Sequence, residues 1–86
     1  MLQKVRKEII RYALDFDILN IQTYSGYKGD LLVKITMPDS DDATLRHLRQ
    51  KALDLGMEVV VKDNKHYLIY ELYCIIPDET AYGLKA

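Results

Sequence analysis

A cysteine, two histidines, a run of acids and a glycine-containing tip are the residues of this 86-residue chain whose types invite chemistry. Cys74, the only cysteine, stands in the run HYLIYELYCIIP (His66–Pro77) among β-branched and aromatic neighbours. Nothing beside it would favour a thiolate, so it reads as a small buried hydrophobe rather than a nucleophile. His47 falls among charged residues of a helical stretch and reads as solvated, and His66 begins a strand beside a turn. No second histidine stands at a ligand spacing from either, so no metal is expected. Asp39-Ser40-Asp41-Asp42 resembles the start of a calcium loop, but such a loop counted from Asp39 needs glycine sixth and glutamate twelfth, where this chain has Thr44 and Gln50. The run suits the first turn of a helix, where negative charge meets the positive end of the dipole. Gly26-Tyr27-Lys28-Gly29 shares only its glycines with phosphate-cradling loops, because it joins strand to strand instead of opening a helix. No catalytic residue, cofactor or metal is therefore expected, and the chain reads as non-enzymatic.

Composition sets the frame for these residues. Hydrophobic content of 49% with 29% charged residues argues for a globular domain and against disorder. The net charge of −1 supplies no global pull toward nucleic acid or an acidic membrane. A lone cysteine favours a reducing compartment, and MLQKVRKEII lacks the apolar run of a signal peptide. No stretch approaches the ~20 apolar residues of a membrane span. The expectation is a cytoplasmic single domain over residues 1–86 with no membrane contact. A chain this short buries only about 60–65% of its unfolded surface and gains from a partner.

The elements follow from periodicity. Leu2, Val5, Ile9, Tyr12, Ala13 and Phe16 recur at helical spacing, with Ile10 and Leu14 widening the stripe, which predicts a helix over 2–16. Ile18–Tyr24 reads as an edge strand, residues 25–30 as a loop, and Leu31–Met37 as a second strand. Pro38 ends it, Asp39 or Ser40 caps a helix buried through Leu45, Leu48, Ala52 and Leu55, and Gly56 stops that helix. Met57–Lys62 is a third strand. Residues 63–66 are a tight turn in which Asn64 tolerates positive φ. The His66–Pro77 run is apolar on both faces, as a central strand should be, and residues 78–86 read as a loose tail.

The order αββαββ divides into halves, 1–39 and 40–78, that match at an offset of 39 residues. Ala13-Leu14-Asp15 corresponds to Ala52-Leu53-Asp54 and Pro38-Asp39 to Pro77-Asp78, which reads as an internal αββ duplication. Leu19 falls opposite Glu58, a mismatch that a bulge or register shift would explain. Short hairpins pair adjacent strands, and the two most apolar strands belong in the centre. The expected fold is therefore an α+β two-layer sandwich, an antiparallel sheet of order 1-2-4-3 with both helices on one face. That is a ferredoxin-like sheet, circularly permuted so that its first strand comes last.

Two helices cover only one side of such a sheet. With Leu68, Tyr70, Leu72, Cys74 and Ile76 beneath them, the open side shows Tyr67, Ile69, Glu71, Tyr73 and Ile75. Leu32, Lys34 and Thr36 join from the second strand, and Val60 and Lys62 from the third. Monomers rarely leave a large apolar band wet. The expected function is a protein-interaction module that homodimerises, or binds a protein partner, through this face. The alternative is single-stranded nucleic acid, such as RNA, stacked on Tyr67 and Tyr73. Only Lys34 and Lys62 supply positive charge there, and Glu71 lies between the tyrosines. A tail folded across the face through Tyr82 and Leu84 is the remaining way to cover it.

Overall fold

The computed structural model describes residues 2–25 and 31–76. Residues 26–30 of the loop expected over 25–30, the Pro77 anchor and the 78–86 tail lie outside them, as does the side chain of Leu2, while Ser25 is a strand residue. The elements are α1 (Leu2–Ala13), β1 (Asn20–Ser25), β2 (Leu31–Pro38), α2 (Asp42–Asp54), β3 (Glu58–Asn64) and β4 (Ile69–Ile76). All neighbouring strands are antiparallel and the sheet order is β1-β2-β4-β3, as the pattern predicts. Ile9 and Ala13 of α1 and Leu48 and Ala52 of α2 are fully buried in one cluster with Val33, Ile35, Met37, Leu72 and Cys74. Strand alternation sends those five sheet residues to one side, so both helices lie on the same face. Aromatic contacts tie the C-terminal end of α1 and the turn after it to α2. Phe16 stacks on His47 with ring centroids 5.8 Å apart, and the Lys51 ammonium stands 5.3 Å from the Tyr12 ring centre. His47 is exposed, as expected, but has this partner.

The ends of α2 are closed by local hydrogen bonds. The N-cap is Asp41, not Asp39 or Ser40: its carboxylate accepts from the Thr44 amide at 3.1 Å and the Thr44 hydroxyl at 2.6 Å. These two bonds hold the Asp41 carboxyl below the usual aspartate range, the hydroxyl contributing most. At the other end the Gly56 amide donates to Leu53 O and the Met57 amide to Ala52 O, both at 3.0 Å. This is the Schellman arrangement, and Gly56 supplies its left-handed residue at φ 84°.

Expectations are corrected at several element boundaries: β1 is Asn20–Ser25 instead of Ile18–Tyr24, and β3 is Glu58–Asn64 instead of Met57–Lys62, which moves the expected turn from 63–66 to 65–68. α1 ends at Ala13 instead of running to Phe16, because the Asp15 and Phe16 amides bond three residues back, to Tyr12 O and Ala13 O, in a tightened turn. That turn carries Leu14 off the apolar stripe and leaves it 66% exposed. β4 begins at Ile69, not His66. Asn64 turns the chain with its side chain, whose oxygen accepts the amides of His66 and Tyr67 at 3.2 Å each. The residue with positive φ is then Leu68, at 59°. Leu68 is 65% exposed, so it is not among the core residues beneath the helices. A left-handed leucine carries a steric cost of roughly 1–2 kcal/mol. Leu68→Gly should therefore exceed Leu68→Ala in stability by about 1 kcal/mol in a urea titration, since alanine keeps the Cβ that causes the cost. Equal midpoints would show that the turn relaxes instead.

Cys74 occupies the place expected of it. Its side chain is wholly buried on the helix side of β4, and burial pushes its thiol pKa up to about 12. A thiol reagent should label it slowly in native buffer and rapidly in denaturant; fast native labelling would put it on the wrong side of the sheet.

The strand register gives the spacing between the two hairpins. Ile21 pairs with Ile35, and Val59 pairs with Cys74. Ile35 and Cys74 are 39 residues apart, whereas Ile21 and Val59 are 38 apart. At a spacing of 38, position 19 falls against Met57 and not Glu58, although Leu19 is 60% exposed and Met57 is buried. Counted between matching positions, the path from Ala52 to Val59 is one residue shorter than that from Ala13 to Ile21, and the path from Val59 to Cys74 is one longer than that from Ile21 to Ile35.

Candidate interaction face

The side of the sheet away from the helices is built by cross-strand rows. Gln22, Lys34, Tyr73 and Val60 form one row, flanked by Tyr24, Leu32, Ile75 and Glu58 on one side and Asn20, Thr36, Glu71 and Lys62 on the other. Pro38, Ile69 and Asn64 close the end nearest the second hairpin. Six of the seven residues expected on this face are there: Lys34, Lys62, Ile69, Glu71, Tyr73 and Ile75. Tyr67 is the exception, because it lies in the turn before β4, 68% exposed, with its ring edge-on to His66 at 4.6 Å. Tyr24 belongs to the face and is 46% exposed; its alternation with Asn20 and Gln22 is the signal that places it.

The face is charged only at its centre and rim. Glu71 retains 8% exposure although no described element covers it, because its strand neighbours crowd it. Its carboxylate receives the Lys34 ammonium at 2.9 Å, and Lys62 stands opposite on β3. The bond from Lys34 holds Glu71 below the usual glutamate range against the opposing effect of desolvation, and Lys34 is raised chiefly by the same bond. The Lys34 ammonium also lies 5.8 Å from the Tyr73 ring centre. The charges of Lys34 and Lys62 offset those of Glu71 and Glu58, so the face as a whole is neutral. Sequence reading finds each residue but not the Lys34–Glu71 pair, since β2 and β4 are not consecutive and only their register brings the two together.

The pair has a pH signature. A carboxyl whose folded pKa is depressed contributes stability that is present above its unfolded value, ordinarily 4.5, and lost as pH falls through the folded value. The fall in urea midpoint between pH 7 and pH 3 should therefore be smaller in Glu71→Gln than in the parent. An identical fall would remove Glu71 from the acid response.

Among the described residues no three His, Cys, Asp or Glu side chains come together as a metal site, and no helix is long and apolar enough to cross a membrane. No protein-family model matches the chain, and no curated protein or solved structure matches it either.

Proposed function

We propose that the protein is a small non-enzymatic interaction module that homodimerises through the open face of its sheet. The observation that carries this reading is the internally neutralised centre of the face. Glu71 and Lys34 satisfy each other, so a second copy meets Tyr73, Ile75, Ile69, Leu32 and Val60 without stranding a charge. A neutral face whose anchors are a tyrosine and aliphatic side chains suits its own copy. It suits a phosphate backbone poorly, which argues against the single-stranded nucleic-acid reading, as does the position of Tyr67 off the strand. We further read the chain as a circularly permuted ferredoxin-like fold with an internal αββ duplication, supported by the strand order and by the equivalence of the Ile21–Ile35 and Val59–Cys74 pairs.

Light scattering on the purified protein at low and high salt tests the dimer. A dimer mass that salt does not reduce is the expected result. A monomer that shifts a labelled single-stranded oligonucleotide, and releases it in salt, would replace this reading with the nucleic-acid one.

A further inference from the structure

We propose that the outer edge of β3 and the groove beside it form a second docking surface, which takes an extended acidic segment of a partner protein as an added strand. β3 ends the sheet, pairing with β4 along Glu58–Asn64 while no described strand lies on its other side. Alternate backbone N–H and C=O groups therefore point outward, free to pair. Val59, Val60 and Val61 make the middle of this edge; Val60 is 53% and Val61 38% exposed. Charges stand only toward its ends, at Glu58, Lys62 and Asp63. An edge guarded so thinly invites pairing with another chain.

Charge decides what that chain is. α2 stops short of β3 and leaves a groove of about 520 Å³, with Leu45, Val59 and Val61 as an apolar floor and Asp42, Arg46 and Arg49 at its rim. Asp42 already accepts the Tyr70 hydroxyl at 2.6 Å, a bond that pushes the Tyr70 pKa up to about 12 and ties β4 to the first turn of α2. Among the described residues, Arg46 and Arg49 have no ion-pair partner. Two unpaired guanidinium groups over an apolar floor fit carboxylates carried on short apolar stems. A strand added to β3 sends alternate side chains into this groove and the others to the open-face side beside Val60. The matching segment therefore alternates glutamate with apolar residues. This surface borders the proposed dimer face at Val60 but does not depend on dimerisation.

The test uses the full chain and a fluorescent peptide of about ten residues, the length of a long strand, alternating glutamate and valine. Saturable binding with slowed hydrogen exchange of the β3 amides is expected. A lysine–valine counterpart should bind about tenfold more weakly or worse, and the exposed double variant Arg46→Glu/Arg49→Glu should reverse that preference. Tyr73→Ser/Ile69→Thr should leave it unchanged, which separates this surface from the dimer face. Equal affinity for both peptides, absent β3 protection, or undiminished binding of a peptide N-methylated at alternate residues would each overturn the proposal. So would β3 protection in the protein alone that disappears on dilution, because a second copy would then occupy the edge. Arginine-dependent binding of an oligonucleotide in preference to the acidic peptide would overturn it in favour of nucleic acid.

Discussion

Leu72→Ala should lower the free energy of unfolding by about 2–5 kcal/mol, the range for deleting a fully buried leucine side chain. Leu72 is wholly buried in central strand β4, between Ile35 of β2 and Val61 of β3. It stands beneath the helices, where rigid strands on both sides limit how far the site can collapse. For a domain of this size the loss is a large share of total stability, so much of the variant should be unfolded at 37 °C. Guanidinium titration measures it directly. A loss below ~1 kcal/mol would mean that the side chain is not in the core. Val60→Ala, on the same sheet but half exposed on the other face, should change little in the monomer.

Changing Tyr73 to Ser and Ile69 to Thr together should weaken self-association by about 2 kcal/mol or more, roughly 30-fold in dissociation constant, because central aromatic anchors dominate such contacts. The buried side of β4 is untouched, so circular dichroism of the double variant should match the parent, although it melts earlier once dimerisation no longer stabilises it. An unchanged mass at micromolar concentration would sink the open-face reading. The ion pair at the centre of the face guides the companion variant. Glu71→Lys would set a second ammonium against Lys34 inside the sheet, so it tests folding as much as binding. Glu71→Gln removes the negative charge at constant shape and is the cleaner probe. It should raise affinity for a single-stranded oligonucleotide only if nucleic acid is the ligand.

The architecture was legible because patterning, turn residues and hairpin rules all pointed to one arrangement. The alternation along Leu31–Met37 and Tyr70–Ile76 was enough to assign both faces of the two central strands. What failed was local. Tyr67 and Leu68 are apolar and adjoin a strand, so composition drew them into it; the Asn64 side chain instead folds them into a turn, at the cost of a left-handed leucine. The end of α1 failed in the same way, because Leu14 and Phe16 continue the helical spacing after the backbone has tightened. At the candidate site the residues were readable and their coupling was not. Glu71 looked like a lone acid interrupting an apolar face, and only the β2–β4 register turned it into the partner of Lys34. The predicted strand order already put β3 at a border; what went unread is the groove beside it, because Leu45, Arg46 and Arg49 of α2 meet Val59 and Val61 only in the packed structure.

The link from Pro38 to Asp41 has a further consequence. It is the only covalent connection between α1–β1–β2 and α2–β3–β4, yet the central β2–β4 pairing runs between those halves. The link is tight, with the Asp41 amide bonded to Pro38 O and the Asp39 amide to Leu68 O, each at 3.1 Å. A chain opened there displays two surfaces that complete each other, and two opened chains can reclose by trading halves, remaking the β2–β4 pairing between molecules while β1–β2 and β3–β4 stay within each half. Short hinges of this kind favour such an exchange, and added glycines between Ser40 and Asp41 should suppress it. The exchanged species needs β2 to part from β4, so it forms on refolding at high concentration and persists on dilution. It leaves the open face bare, and Tyr73→Ser/Ile69→Thr does not dissociate it. Protein never exposed to denaturant therefore reports the open face alone, and refolded protein reports the hinge as well.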